Sequence, residues 1–393
     1  MQAPATDPRA VTGDAAGSGE PVLARLVDQV RAARADRSAL CIRGAGTKDF
    51  YGGAPRGAAL EMRPLSGICS YEPTEMVITA RGGTPLSEVE AALAEAGQCL
   101  AFEPPRFASE DGHGGTIGGA VAAGLSGPAR ISSGALRDFV LGTVLLNGRG
   151  EVLRFGGQVM KNVAGYDVSR VLAGSMGVLG AICEVSLKVL PLPPASATLV
   201  FSCPQAAAIE RVHQWAAQAL PINASTWRAG YLHLRLSGAL AAVRAGVTRL
   251  AREFDGREMD EALAADFWQR LRDQRDEFFL QARKALDGTG AEAGATVLWR
   301  ISVPSSRPPL DLPGEVLLEW GGAQRWFLGA LPASQVRALA AAAGGHATAF
   351  RSRERPQDFL SPLPLILERF HKSLKYAFDP EGIFNPGRLY SWL

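Results

Sequence analysis

Cysteine is scarce in this chain, and the pattern of the few that are present excludes several kinds of site. The 393 residues contain five cysteines, none of them in a Cys-x-x-Cys pair. Such wide spacing argues against a disulfide framework, a structural zinc site and an iron–sulfur cluster held by this chain. It fits a reducing cytoplasm. The five are Cys41, Cys69, Cys99, Cys183 and Cys203.

Net charge and long apolar runs are lacking too. The 41 basic and 39 acidic residues leave a net charge of +2, which gives no electrostatic footprint for nucleic acid or a membrane surface. The most apolar stretch, 172–183, meets Glu184 and Lys188 before it reaches the ~20 residues of a membrane span. Residues 1–20 lack the basic and apolar regions of a signal peptide and predict a disordered leader. The expected partners are small molecules and proteins.

Glycine, in contrast, is abundant. The chain has 44 glycines, and 17 of them lie in the 69 residues from Gly112 to Gly180, without the period of three that marks collagen. A hydrophobic content of 47% over this length allows two or three packed domains. The glycines therefore indicate a folded region in which other atoms must come close to the backbone.

After residue 20 the chain divides into regions with different patterns of predicted helices and strands. Residues 21–194 alternate short helices and strands, including a strand at 39–43 and a hairpin at 139–155. Thr84 is predicted to cap a helix that has Pro85 at its first position. Residues 195–350 predict an α+β cap or substrate domain with an antiparallel sheet. Its expected strands are 198–202, 231–236, 296–303 and 315–320, and its expected helices are 209–220, 239–253 and 261–281.

Residues 351–393 predict a helix and a tail that return to the first domain. One face of the helix is apolar, and Asp379-Pro380 is expected to end it. The residues of that face are Leu363, Ile366, Leu367, Phe370 and Leu374.

Three glycine clusters carry the chemical signal. The run 43–48, RGAGTK, follows a strand but has Asp49 where a dinucleotide fingerprint needs its third glycine. It predicts either an anion site made of free backbone N–H groups or an ordinary glycine turn. The runs 114–124 and 174–182 indicate either tight helix–strand packing or close approach to a ligand. Three such runs in one domain favour a long, extended ligand.

The order of these motifs resembles a known superfamily. RGAGTK, the EPP at 103–105, GGTIGGAVAAG at 114–124, KNVAGYD at 161–167, GSMGVLGAICE at 174–184 and FNPGR at 384–388 are similar to the FAD-binding domain of the vanillyl-alcohol oxidase and p-cresol methylhydroxylase superfamily. GLSGP, KNVAGYD and FNPGR most resemble the FAD-binding subunits of bacterial glycolate oxidase, or glycolate dehydrogenase. The implied fold class is α+β: a two-subdomain FAD-binding domain of the p-cresol methylhydroxylase type plus an α+β cap domain with an antiparallel sheet.

The resemblance implies which residues hold FAD. Three groups are expected on the pyrophosphate, along the flavin and at the adenosine end, and a fourth, in the tail, near the isoalloxazine ring. Covalent members commonly carry a His in the first loop, where this chain has Thr47 and Lys48, so FAD is expected to bind non-covalently. The implied residues are Arg43, Gly44, Ala45, Gly46, Thr47, Lys48, Pro104, Gly114, Gly115, Thr116, Gly118, Gly119, Ala122, Gly124, Ser126, Gly177, Gly180, Ile182 and Asn385.

The catalytic groups are less well marked. Oxidation of a 2-hydroxy acid needs a base, a hydride acceptor and a cation for the carboxylate. The metal-binding histidine run that related enzymes carry is not found, so no metal is expected. His346 and Arg351 are the best local candidates for base and cation, although a histidine after a Gly-Gly turn is more often structural. His113, Lys161, Tyr166 and Arg388 could also contact ligand or simply pack.

Three hypotheses for function stay open. The resemblance implies an FAD-binding oxidoreductase subunit of a glycolate-oxidising complex, with a related flavoprotein subunit and an iron–sulfur subunit as partners. It would be cytoplasmic, or peripheral at the inner membrane through those partners. The alternatives are a structural or electron-conducting subunit, and a free-standing FAD oxidase of another hydroxy acid or alcohol.

Overall fold

The computed structural model describes residues 19–107, 114–157, 167–288, 295–355 and 358–393. The predicted leader therefore lies almost wholly outside the described residues, as do His113, Lys161 and Tyr166. Within the described ranges the chain forms a five-stranded sheet, an eight-stranded sheet and two short strand pairs.

The five-stranded sheet belongs to the glycine-rich part of the chain. Its strand order is β3-β4-β8-β6-β7, and every neighbouring pair is antiparallel. The hairpin predicted around Asn147-Gly148 is present, and the side chain of Asn147 accepts hydrogen bonds from the N–H groups of Arg149 and Glu151. The strands are β3 (Ile68–Glu72), β4 (Val77–Arg81), β6 (Val140–Leu146), β7 (Val152–Gly156) and β8 (Ala181–Lys188).

A smaller unit precedes this sheet and packs beside it. A parallel pair, β1 with β2, lies next to the first helix, and apolar residues of all three share one core with β6 and β8. A second short pair joins β5 to β9. The bounds are α1 (Glu20–Asp36), β1 (Leu40–Arg43), β2 (Ala58–Glu61), α2 (Leu86–Glu95), β5 (Gln98–Cys99) and β9 (Leu190–Pro191).

The eight-stranded sheet is antiparallel throughout, which confirms the sheet expected for the second region. Its order is β13-β10-β12-β11-β15-β16-β14-β17. The strands are β10 (Ala195–Ser202), β11 (Ile222–Arg228), β12 (Tyr231–Gly238), β13 (Arg257–Glu258), β14 (Val297–Ser302), β15 (Val316–Glu319), β16 (Gln324–Gly329) and β17 (His346–Ser352).

Ten further α-helices of the described segments connect and cover the sheets. Four of them lie in the glycine-rich region, five in the second region and one near the end of the chain. They are α3 (Ile117–Ala123), α4 (Arg130–Ser133), α5 (Leu136–Phe139), α6 (Val168–Val171), α7 (Gln205–Ala216), α8 (Leu240–Phe254), α9 (Glu261–Arg272), α10 (Glu277–Asp287), α11 (Ala333–Ala342) and α12 (Leu365–Phe378).

The single helix predicted over 261–281 was wrong, because the structure breaks it into α9 and α10. Gln274 adopts a left-handed backbone at φ 53°, and Asp276 starts the second helix by accepting a hydrogen bond from the N–H of Phe278. Buried Asp273 accepts hydrogen bonds from Arg272 and from the N–H of Arg106. A continuous charged helix could not make this contact with the first region.

The predicted capping by Thr84 was also wrong. The hydroxyl of Thr84 donates to the carbonyls of Arg81 and Gly67 and accepts from the N–H of Gly67. The position before α2 is occupied by Pro85. Thr84 does not cap the helix because its hydroxyl is used for hydrogen bonds to two neighbouring loops.

The C-terminal helix ends at Asp379, as expected, and a buried ion pair fixes the tail that follows. The ammonium of Lys375 donates to the Asp379 carboxylate at 2.7 Å, and to the carbonyls of Val178 and Phe384. The same carboxylate accepts from the N–H groups of Ile383 and Phe384. This network joins the end of α12, the tail and the third glycine cluster.

The apolar face of α12 is mostly exposed. The exposed residues are Leu365, Ile366, Leu367, Phe370 and Tyr376.

We expect Lys375→Met to destabilise the fold by about 3–5 kcal/mol, because it leaves the buried Asp379 carboxylate without its counter-charge. Urea unfolding of the full chain would measure this. The matched control is Lys372→Met, which removes an exposed pair with Glu368 on the same helix and should cost less than about 1 kcal/mol. Equal losses in the two variants would contradict the role given to Lys375.

Candidate functional site

A cleft forms where four separate segments of the glycine-rich region and the tail come together. The segments are the loop after β1, the helix α3, the loop before β8 and the end of the tail. The residues lining the cleft are Cys41, Ile42, Arg43, Gly44, Ala45, Gly46, Thr47, Lys48, Asp49, Pro55, Thr116, Gly119, Ala122, Ala123, Met176, Asn385 and Arg388.

The first loop leaves β1 and faces α3 across the cleft. Gly44 lies so close to Thr116, the N-cap residue of α3, that a Cβ at residue 44 would be 2.5 Å from the threonine hydroxyl oxygen. Gly115 has φ +100°, and a Cβ there would lie 3.0 Å from the Thr47 hydroxyl oxygen and 3.3 Å from the Lys48 nitrogen. Glycine at these positions keeps the two segments close.

Lys48 places a positive charge in this cleft at a desolvation cost. Burial lowers the pKa of its ammonium to about 8. Its Nζ lies 5.6 Å from the centre of the Phe107 ring, and no ion pair joins it to a carboxylate within the described ranges. An anionic ligand would supply the missing counter-charge.

The second glycine segment has two different uses. Gly119 and Ala122 line the cleft, whereas a Cβ at Gly118 would meet the backbone of Gly82 at 2.7 Å. Gly124 similarly packs on the backbone of Gly174. Helix–strand and loop–loop packing, the alternative reading of this motif, therefore accounts for the glycines at residues 118 and 124.

The third glycine cluster enters the cleft only through Met176. Gly177 lies against the Asn385 amide, and a Cβ there would be 2.6 Å from the amide nitrogen. Ile182 pairs with Leu145 in the sheet, and Gly180 precedes that strand. Gly177, Gly180 and Ile182 are not among the lining residues of the cleft, and their expected contact with adenosine stays a prediction.

The tail closes the cleft through Asn385 and Arg388. The Asn385 side chain accepts a hydrogen bond from the N–H of Ile42 at 2.8 Å and donates to the carbonyl of Met176 at 2.7 Å. Arg388 donates to the carbonyls of Gly53, Asp49 and Lys48. From the sequence, Arg388 could either contact ligand or simply pack. Its place in the FNPGR motif was the signal that could have assigned it to the cleft. These bonds hold the first and third loops in place.

Two further expected residues lie outside the cleft. Pro104 is buried beside the lining residues of a second cavity, to which its neighbour Pro105 contributes. Ser126 lines that same cavity, and its hydroxyl accepts a hydrogen bond from the N–H of Leu136.

His346 and Arg351 occupy the two ends of β17 and do not converge. They are five positions apart along an extended strand, which corresponds to about 16 Å. The Arg351 guanidinium lies 3.6 Å from the centre of the Phe50 ring, next to the first loop, and burial lowers its pKa to about 10. His346 lies at the exposed end of the strand. Desolvation of its ring, and then the nearby charge of Arg300, lower its pKa.

The cleft fits a long ligand with an anionic centre. Much of its wall is backbone and small side chains, and the desolvated ammonium of Lys48 lies in it. Four segments that are far apart in the sequence face it together. Among the described residues, no group of three or more His, Cys, Asp and Glu is arranged to hold a metal ion. Fold and cleft define an FAD-binding flavoprotein of the p-cresol methylhydroxylase type.

Comparisons with known proteins agree with this class. The family described as an FAD binding domain matches residues 23–156. Glycolate oxidase subunit GlcE of Escherichia coli (strain K12) is 46% identical over 368 residues, 94% of this chain and 97% of that protein. Glycolate oxidase subunit GlcD of Bacillus subtilis (strain 168) is 31% identical over 40% of this chain and 33% of that protein.

A solved structure shows the same fold. An alkyldihydroxyacetonephosphate synthase superposes with a TM-score of 0.63 at 15% identity, covering 94% of this chain and 75% of that one. The high identity over nearly the full length of the first relative settles the family. The chain belongs to the GlcE family of glycolate oxidase subunits, and its cofactor is FAD.

We expect Gly44→Val to abolish retention of FAD, because the new side chain would collide with Thr116 and block the cleft. The purified chain should lose the flavin absorbance bands. Gly157→Val is the control, since a Cβ at residue 157 meets no heavy atom within 4 Å. Full flavin content in the Gly44 variant would remove the first loop from the binding site.

We expect the affinity for FAD to fall as the pH rises through about 8, where the Lys48 ammonium loses its proton in the ligand-free chain. The positive charge of Lys48, which attracts the anionic ligand, is present below that pH and absent above it. Lys48→Met should bind FAD at least tenfold more weakly and without this pH dependence in a fluorescence titration. Lys284→Met, on the exposed side of α10, should behave as the parent chain does.

Proposed function

We propose that this chain is the subunit of a glycolate-oxidising complex in which a bound flavin accepts a hydride from a small 2-hydroxy acid and passes the electrons on to an iron–sulfur partner. The observation that carries the proposal is the cleft, in which three glycine-containing segments meet the C-terminal tail around a desolvated ammonium. The family supplies the substrate class, since its relative is a glycolate oxidase subunit.

The residues of the cleft then take defined roles. FAD, when bound, supplies the two-electron acceptor. Lys48 neutralises the pyrophosphate, and the backbone of residues 44–46 approaches it closely. Asn385 and Arg388 keep the first and third loops at a fixed separation through their hydrogen bonds. The expected adenosine contacts of Gly177, Gly180 and Ile182 complete the proposal.

The FAD is proposed to be dissociable. Thr47 and Lys48 occupy the part of the first loop where covalent members carry a histidine. Cys41 does line the cleft, but burial, the largest influence on it, raises the pKa of its thiol. A thiol that keeps its proton is a poor nucleophile, so it does not favour a covalent bond to the flavin.

Partner subunits are part of the proposal. The comparisons identify the family as a subunit, and we propose a related flavoprotein and an iron–sulfur protein as the other chains. The exposed apolar side chains of α12 support such assembly, because apolar surface of this kind is typical of interfaces. Within the described residues, no helix has the length and hydropathy to span a membrane. We propose a cytoplasmic position, with membrane contact only through the partners.

The proposed domain boundaries are 21–194 for FAD binding, 195–350 for the cap and 351–393 for the returning helix and tail. The change of sheet between β9 and β10 supports the first boundary.

The test is anaerobic addition of glycolate to the isolated full chain loaded with FAD. We expect the flavin absorbance to bleach and to recover when a quinone analogue is added. Ethanol, which lacks the carboxylate, is the control and should leave the flavin oxidised. Bleaching only after the related flavoprotein subunit is added would instead assign this chain an electron-conducting or structural role.

A further inference from the structure

A second cavity lies between the cap sheet and the end of the second glycine segment. Arg300, Glu319 and Gln324 line it from the cap sheet, and Ser126 and Gly127 line it from the first region. Its volume is about 20 Å³, which is room for about one water. A buried carboxyl group and a guanidinium thus share a small polar space between the two halves of the molecule.

This cavity adjoins the FAD cleft. Ala122 and Ala123 line the cleft, and Leu125, Ser126 and Gly127 line the cavity, so a single stretch of five or six residues passes from one to the other. Phe107 also lines the cavity and lies over the Lys48 ammonium of the cleft. The cleft and the cavity therefore share one stretch of chain and the neighbourhood of one aromatic ring.

Glu319 is held in a defined orientation at the end of β15. Its residue is only 5% exposed. One carboxyl oxygen, Oε2, accepts hydrogen bonds from the indole N–H of Trp326 at 2.5 Å and from the side-chain amide of Gln324 at 2.9 Å. Both donors are on β16, the neighbouring strand, and together they fix the orientation of the carboxyl group.

Burial makes Glu319 a group whose pKa lies near neutral pH. Burial is the largest influence and raises its pKa to about 7, with a smaller rise from Glu103, while Arg300 and its two hydrogen bonds oppose the change. Arg272 lines the same cavity but is paired with Asp273. Arg300 is partly buried, and no ion pair joins it to a carboxylate in the described part of the chain.

We propose that Glu319 is the proton acceptor for the hydroxyl group of a small 2-hydroxy acid, and that Arg300 holds the carboxylate of that acid. This inference rests on the proposed function, because it requires that the flavin of this chain accepts the hydride. It assigns the chemistry to the β14–β16 part of the cap sheet and gives His346 and Arg351 no part in proton transfer.

The step balances with FAD as the oxidant. The carbon–hydrogen bond of the acid breaks, and the hydrogen leaves for the flavin with both electrons. The oxygen–hydrogen bond breaks in the same oxidation, and its proton passes to the Glu319 carboxylate, with the carboxylate of the acid in the place of the cavity water. The electron pair of that bond forms the carbon–oxygen double bond of the 2-oxo acid.

The experiment measures anaerobic reduction of the FAD-loaded full chain by glycolate as a function of pH. The parent chain should be reduced faster as the pH rises through about 7, because the carboxylate form is the base. Glu319→Gln should slow reduction at least 100-fold and remove this pH dependence, and Glu319→Asp should restore part of the rate. Glu315→Gln, an exposed residue of the same chain region paired with Arg228, is the matched control.

Two measurements do not depend on turnover. Oxalate, which cannot be oxidised in this way, should perturb the flavin absorbance, and Arg300→Gln should weaken its binding at least tenfold while Glu319→Gln leaves it within threefold. In the FAD-free chain, deprotonating a buried carboxyl costs stability, so the thermal midpoint should fall as pH rises from about 4.5 to 7. Glu319→Gln should flatten that fall.

The outcomes separate the two proposals. A parent chain that glycolate does not reduce would overturn the proposed function and this inference with it. A parent chain and a flavin-loaded Glu319→Gln variant that are reduced alike, with one pH profile, would overturn this inference alone. Unchanged oxalate binding in Arg300→Gln would remove Arg300 from the site.

Discussion

The return of the C-terminal tail is the constraint on which the cleft depends. Asn385 accepts from the N–H of Ile42 and donates to the carbonyl of Met176, so one amide joins β1 to the loop before β8. The buried Lys375–Asp379 pair fixes the path of the chain just before it. Without these bonds, the glycine segments would keep their local turns but lose the common surface that receives FAD.

Three desolvated ionisable groups have different roles because their surroundings differ. Lys375 is desolvated but satisfied by a carboxylate and two carbonyls, and therefore stabilises the fold. Lys48 is desolvated without such a partner among the described residues, which suits a binding site for an anion. Glu319 receives two neutral donors and a nearby guanidinium, which leaves its proton exchangeable near neutral pH. The difference lies in what each charge meets.

Much of the fold followed from patterns of neighbouring residues. The hairpin around Asn147, the strand that delivers the first glycine loop and the antiparallel sheet of the second region were predicted correctly, because turn chemistry and alternation act locally. The helix 261–281 and the cap at Thr84 were wrong, because tertiary hydrogen bonds outweighed the local preference. Of the expected FAD residues, those in the first loop line the cleft, whereas Gly118 and Gly124 pack on other backbone, a difference that composition does not reveal.

By itself the sequence determined the class of ligand, since the order of glycine-rich motifs and the FNPGR tail indicates FAD. The wide spacing of its five cysteines also predicted that this chain holds no iron–sulfur cluster. Only the tertiary structure decided which residues meet across the cleft, and it brought Glu319 and Arg300 together beside the end of the second glycine segment. These two are 19 positions apart on non-adjacent strands, and a contact of that kind depends on strand order and burial, which short-range patterns do not encode.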